Sequence, residues 1–342
     1  MAIQNAYKRI RISLLLLSIL FLFTTCIKDD LAEDCRIRIH FDYSYNMFSE
    51  NHFGEQVDQV TVYVFDEGGT YLQSVTERGT HVLTNDFTMA VPLFNGKYQF
   101  VVFAQNNKIQ DKTGNFEFPS LQSGQSTLDD LTATLRRTNS VFGGQLNNLL
   151  VGYHNTIHID YVTHSEVVIE TKKITNTVRV ILADRGQEEI NTSSYSMQIT
   201  DQAGNGIVKY DYTLVPDGTL TYLPYLIEKG TDVNTANQLQ PGDQLKRTIV
   251  NEFSISQMEQ THEMRLTVAR TGTGEKIINA NLFALLHALY ETDKEFNDDW
   301  SFQEYIDRED LFVITLYVDS HTWLDSTVII NGWVINNIHI DF

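Results

Sequence analysis

Apolar and polar residues alternate over short runs along most of the chain, which is the period of half-buried β-strands. Val60-Thr61-Val62-Tyr63-Val64-Phe65 is β-branched and aromatic and keeps that alternation. Asp66-Glu67-Gly68-Gly69 follows as a turn and Thr70-Tyr71-Leu72 begins a return, so the stretch predicts a hairpin. Further strands are predicted over 87–93 and 96–104. The second of these holds a long apolar stretch, as a central strand buried on both faces does. Segment 111–129 is rich in Gly, Ser, Thr and Asn and reads as loop, while 151–161 and 165–172 read as strands closing a first domain.

A boundary is expected near Lys172-Lys173-Ile174-Thr175-Asn176, because the pattern restarts there. Strands are predicted over 177–182 and 195–200, and the second runs into Asp201-Gln202-Ala203-Gly204-Asn205-Gly206. That order of strand, Asp and Gly-rich turn echoes the first hairpin and suggests two β-sandwiches of similar topology in tandem. Leu282, Leu285, Leu286 and Leu289 keep helical spacing within 281–291. A second short helix is predicted over 301–308, with Ser301 as N-cap and Glu304 at the reciprocal capping position. Strands over 311–318, 326–330 and 333–340 finish the chain. The expected fold is therefore mainly β, two sandwiches spanning 36–172 and 173–342, with a short helical insertion in the second.

The first 25 residues follow a different pattern. Lys8, Arg9 and Arg11 precede Ser13 to Phe23, a run that is apolar but for two serines. Eleven residues are too few for a stable transmembrane helix, and a basic start before such a core marks a secretory signal. Thr24 and Thr25 lead into Cys26, which resembles a lipobox with Phe23 and Thr25 in place of the commoner residues. Signal peptidase would cut before Cys26, and its sulfur would carry lipid. Residues 26–35 then form a lipidated linker. Its acidic start, Ile27-Lys28-Asp29-Asp30, resembles a tag for export to the outer face of the outer membrane.

Charge and cysteine count narrow the function. The leader holds three of the 25 basic residues and none of the 44 acidic ones, so the remainder carries a net charge of −22. Such a surface repels phosphate backbones, and no nucleic-acid partner is expected. It offers no basic patch for anionic lipid either, which leaves acyl chains to hold the membrane. Of the two cysteines, Cys35 has no intrachain partner once Cys26 is lipidated.

No catalytic or cofactor motif is present: no phosphate loop, HExxH, GxSxG or CxxC. No enzyme activity, cofactor or metal is expected. His154 and His158 would share a face of a regular strand, yet they read as surface histidines. Asp201 to Gly206 lacks the alternating carboxylates of a calcium loop and reads as a turn. Asp298, Asp299, Asp307, Glu309 and Asp310 read as a solvated face or helix termini rather than an acid–base pair. The 16 Tyr and 19 Phe are read mainly as core, since strands favour aromatics.

Four stretches, in order, resemble the FimB/Mfa2 family of fimbrial anchor subunits from Bacteroidetes. They are Cys26 to Leu31 leading through Cys35 to Ile39–Met47; Val57 to Asp66 with its turn and Tyr71-Leu72; Gly96 to Asn106; and Phe302 to Asp310 with Asn331-Gly332-Trp333. The resemblance implies two transthyretin-like Greek-key β-sandwich domains. It implies an outer-membrane lipoprotein at the base of a fimbrium, surface-exposed and lipid-anchored, which joins the shaft to the membrane and can limit its length. Its partner would be a fimbrial shaft pilin. In such pili a shaft subunit loses its N-terminal strand, and a neighbour's C-terminal strand fills the groove by β-strand addition.

The candidate donor strand here comprises Trp333, Val334, Ile335, Ile338 and Ile340, with Asn336-Asn337 interrupting the alternation. The alternative is a last strand folded back on its own domain. At the other end, Arg36 and Arg38 fall inside the first predicted strand, where folding should resist the processing cut. The first groove is therefore expected to stay closed and the subunit to act as donor only. The competing function is a surface lipoprotein adhesin or glycan-binding module, marked by a groove of exposed Trp or Tyr. A hydrolase ranks below both. Replacing the lipid acceptor, Cys26→Ala, is expected to move the protein from the membrane to the soluble fraction on cell fractionation; unchanged membrane retention contradicts the lipid reading.

Overall fold

The computed structural model describes residues 36–106, 115–160, 166–184, 191–231, 247–293, 299–318, 328–330 and 333–335. The leader, Cys26 and Cys35 lie outside these.

The first half is built from β1 (Arg36–Asp42), α1 (Phe53–Gln56), β2 (Gln59–Asp66), β3 (Tyr71–Arg78), β4 (Thr88–Pro92), β5 (Gly96–Gln105), β6 (Phe116–Glu117), β7 (Thr132–Leu135), β8 (Val141–Phe142), β9 (Leu149–Ile159) and β10 (Glu166–Lys173). The expected hairpin is β2–β3, turned by Asp66, whose carboxylate accepts from the Thr70 amide at 2.8 Å. One layer runs β4-β1-β10 and the other β3-β2-β5-β9. β10 joins them, because its first residues pair with β1 and Thr171 to Lys173 pair with β9. Apolar alternation on β1, β2, β4 and β10 fills the space between the layers with Ile39, Phe41, Val62, Met89 and Ile169.

The second half holds β11 (Thr175–Asp184), β12 (Tyr195–Asp201), β13 (Ile207–Lys209), β14 (Leu220–Tyr222), β15 (Leu226–Thr231), β16 (Arg247–Ser256), β17 (Met264–Arg270), β18 (Lys276–Asn281), α2 (Leu282–Asp293), α3 (Phe302–Arg308), β19 (Leu311–Val318), β20 (Val328–Ile330) and β21 (Trp333–Ile335). Its sheets run β15-β16-β11-β19-β20-β21 and β18-β17-β12-β14-β8.

The pairing scheme repeats. β1 lies antiparallel to β4 and parallel to β10, and β11 does the same with β16 and β19. β2 lies between β3 and β5, with β5 next to β9; β12 lies between β14 and β17, with β17 next to β18. Leu282, Leu285, Leu286 and Leu289 of α2 are buried, as their spacing requires. Ser301 caps α3 by accepting from the Glu304 amide at 3.2 Å, whereas the Glu304 carboxylate turns to Arg308 instead of closing a capping box.

Two expectations change. The Asp201 turn does form, its carboxylate accepting from the Ala203 and Gly204 amides at 2.9 and 3.0 Å. It does not make a hairpin, however, because the following β13 leaves to pair with β7 of the first half. The supposed loop over 111–129 also carries structure: β6 pairs with β7, and Phe116 and Leu128 are buried. Together with β7 and the second half, this segment covers the outer face of the β2-β5-β9 layer. That cover is why β5 is buried on both faces from Gln99 to Gln105.

The Gly204 backbone has φ +80°, and a Cβ there would meet Asp217 Oδ1 at 1.9 Å and the Gly218 carbonyl at 2.1 Å. Asp217 in turn pairs with Arg137 at 2.7 Å, joining the two halves. Gly204→Ala is therefore expected to destabilise the chain by about 1–3 kcal/mol, from strain and displacement of Asp217. A fall in the thermal midpoint checks this, and an unchanged midpoint contradicts it.

Candidate functional site

The strand addition expected from the sequence would work through strand seats and sheet edges, so the site is built up from β1. This strand pairs at five positions with β4 and at five with β10. Ile37, Ile39 and Phe41 are 2%, 0% and 1% exposed beneath it. Phe41 stacks between Phe53 at 5.0 Å and Phe87 at 5.7 Å. Each such side chain stabilises by about 1.5–3 kcal/mol on burial. Lifting β1 out would thus open an apolar groove with two unpaired strand edges. Arg38 is exposed, but its backbone lies opposite Ala90 and Glu166 in the ladder. A protease needs an extended, unpaired segment, so cleavage there requires local opening first.

At the opposite end of the chain, Trp333, Val334 and Ile335 form β21, antiparallel to β20 in the register Ile330↔Trp333, Ile329↔Val334 and Val328↔Ile335. β21 is the outermost strand of its sheet, with α2 lying against it and β20. Ile338 and Ile340 lie outside the described residues. An outermost strand held by three pairs is the least costly part of a sheet to release.

Between these two ends lies a junction of charged and aromatic side chains. Residues 43–47, which follow β1, meet α3 from the far end of the sequence. The Arg308 guanidinium stands over the Tyr45 ring at 4.2 Å and the Trp300 ring at 4.5 Å. It also pairs with Glu304 at 2.8 Å and donates to the Asn46 carbonyl at 3.2 Å. Lys172 pairs with Asp307 at 2.5 Å and Lys173 with Asp310 at 3.0 Å. The Tyr43 hydroxyl donates to Asp310 at 3.4 Å. Burial and the Asp307 and Glu304 carboxylates push the Tyr45 phenol up to about 12. Burial also raises Asp307, more than Lys172 lowers it. A carboxyl raised in this way favours the fold below its unfolded pKa, and that contribution fades as pH rises through its folded value. At neutral pH the pair therefore fixes geometry more than it adds stability.

Of the acidic cluster, Asp307, Glu309 and Asp310 do lie at a helix terminus, the end of α3, while Asp298 lies outside the described residues; Asp307 alone departs from the solvated-face expectation. Asp307 is buried and paired, not on a solvated face, because the last two residues of β10 supply its cationic neighbours. Lys172 and Lys173, which read as boundary residues, are the ones the sequence reasoning missed. Their signal was two adjacent cations facing a run of acids far along the chain.

The remaining candidates resolve simply. An extra residue on β9 between His154 and Ile157 places His154 opposite Phe100 and His158 opposite Lys97, so the two histidines face opposite sides. Among the described residues no group of three metal-ligating side chains occurs. Asp201 is spent on its turn and on His262 at 3.0 Å. Among the described residues no helix is long and apolar enough to cross a membrane. A recess of about 420 Å³ opens on the outer face of β12, β17 and β18, lined by polar residues including Gln198, Glu263, Arg265 and Asn279 and by no aromatic ring.

The family model for fimbrillin-A associated anchor proteins Mfa1 and Mfa2 matches residues 31–339. A candidate polysaccharide-binding protein from Bacteroides thetaiotaomicron is 27% identical, with 89% of this chain and 98% of that one covered at a TM-score of 0.74. A candidate adhesin from the same organism is 25% identical, covering 87% and 96% at a TM-score of 0.74. The fimbrial anchor protein Mfa2 of Porphyromonas gingivalis shares the fold at 16% identity, covering 89% and 99% at a TM-score of 0.63. No curated protein matches the chain.

Removing one partner of the buried pair leaves the other charge unpaired. Lys172→Met or Asp307→Leu alone is expected to cost about 3–5 kcal/mol, and the two together clearly less than their sum. Urea unfolding of the three variants measures the coupling; additive losses contradict it.

Proposed function

The chain belongs to the family of fimbrillin-A associated anchor proteins, and we propose that it is an outer-membrane lipoprotein that fastens a fimbrium to the cell surface and limits its length. Membership in that family associates it with the cell-surface fimbrium and its shaft subunits. The observation that carries the finer reading is the filled seat of β1. A shaft subunit must lose its first strand to accept a neighbour, and it thereby loses whatever its N-terminus was attached to. Here the first strand is paired on both edges and buries Ile37, Ile39 and Phe41. A chain held in this way keeps its connection from lipid on Cys26 to fold, and it offers no open groove at the first sandwich. Its link to the shaft pilin is then made by giving a strand. The donor is the C-terminal stretch holding Trp333, Val334, Ile335, Ile338 and Ile340, which leaves its place beside β20 to add to the pilin. The division of the chain at 172/173 into two sandwiches belongs to the same proposal: one attaches to the membrane side and the other to the shaft.

A second reading is a surface adhesin or glycan-binding module. The polar recess on β12, β17 and β18 favours it, since amide, carboxylate and guanidinium groups suit sugar hydroxyls. The recess lacks the ring on which a sugar stacks, which ranks this reading second. Deleting Trp333 to Phe342 separates the two. The anchor reading expects the truncated protein to stay lipidated at the membrane but to lose copurification of a shaft pilin. Undiminished pilin capture places the donor elsewhere.

A further inference from the structure

Each half of the chain is entered and left through neighbouring parallel strands. The chain enters the first sandwich at the N-terminal end of β1 and leaves it at the C-terminal end of β10. These strands run parallel and pair from Arg38↔Glu166 to Asp42↔Glu170. The second sandwich is entered at the N-terminal end of β11 and left at the C-terminal end of β19, again parallel, over eight pairs from Thr177↔Leu311 to Asp184↔Val318. Parallel neighbours pulled from opposite ends slide along their common axis. All the ladder bonds then bear load side by side and must fail together. An antiparallel hairpin pulled from its open end gives way one pair at a time. The lifetime of a fold under tension follows its unfolding barrier, so this difference in geometry acts directly on that barrier.

We infer that the two sandwiches form a load-bearing link that resists stretching by shear at β1–β10 and β11–β19. For its purpose the inference rests on the anchor reading, because only a tethered chain is pulled from both ends. The geometry itself belongs to the fold. β4 grips the other edge of β1 over five further pairs, so the first strand is sheared against two neighbours at once. The handover between the halves is reinforced as well. Lys173 reaches Asp310, the residue before β19, and Lys172 reaches Asp307, so load at the end of β10 passes straight to the start of β19. The hairpin β20–β21 is the exception. Its three pairs open from Val328↔Ile335, and tension on the C-terminus peels it before either parallel ladder slides.

Single-molecule force spectroscopy tests this on the full mature chain carrying Cys26→Ser and Cys35→Ser. One handle is fixed at the N-terminus. The second is placed at Glu166→Cys in one sample and Glu170→Cys in another. Both glutamates are exposed and lie on the same strand at opposite ends of the β1 ladder. Pulling at Glu166 peels β1 from its near end, whereas pulling at Glu170 shears the whole ladder. The expected rupture force at equal loading rate is severalfold higher from Glu170. With the second handle at the C-terminus, a short low-force release of the terminal hairpin should precede a high-force rupture. Equal rupture forces from Glu166 and Glu170 would overturn the inference, as would end-to-end rupture at the peeling force. Copurification of a shaft pilin tests the anchor reading separately and leaves this force ratio unmoved.

Discussion

Backbone pairing along both edges of β1 sets what the rest of the molecule can do. A strand with one edge free is a site for addition, and a strand with both edges occupied is part of the sheet. β1 lies between β4 and β10, and its inward side chains Ile39 and Phe41 are buried in the first core. The chain preceding Arg36 thereby connects directly to a folded element. The proposed membrane attachment, the proposed closure of the first groove and the inferred path of tension all rest on that one placement. The second half repeats the arrangement with β11 between β16 and β19. There the sheet continues past β19 into β20 and β21, so among the described residues the last strand, β21, is also the one at the sheet edge.

The halves are not two beads on a string. The outer face of β2-β5-β9 shares one core with the second half, and β7–β13 and β8–β14 pair across the two. Arg137–Asp217, Lys172–Asp307 and Lys173–Asp310 add charge pairs across the same boundary. Of these, Arg137–Asp217 and Lys172–Asp307 are largely buried and contribute little net stability, since desolvation offsets most of the attraction. They do punish misplacement heavily, so they fix how the halves sit. Arg308 serves that end too, held between Tyr45 and Trp300 from opposite ends of the sequence.

Elements whose pattern is local were legible in the sequence. The β2–β3 hairpin was written in Val60 to Phe65 and the Asp66 turn, and α3 in Ser301 and its following residues. The family was legible from four stretches in their expected order, and described parts of them meet in pairs: β2 pairs with β5, and residues 43–47 pack on α3. Features set by distant partners were not. A bulge on β9 reversed the facing of His158 relative to His154. β13 left its expected hairpin for a strand more than 70 residues earlier. Asp307 looked solvated because nothing near it in sequence announces Lys172. In each case long-range pairing overrode a sound local pattern.

In the proposed anchor the chain stays continuous from its lipid through β1 while a fimbrium is attached. Intact-mass and N-terminal analysis of the protein isolated from membranes together with its fimbriae tests this most directly. The expected chain begins at a lipidated Cys26 and retains Arg36 to Asp42. A chain beginning after Arg36 or Arg38 would contradict it, because β1 would have been given up and its groove opened to a neighbour.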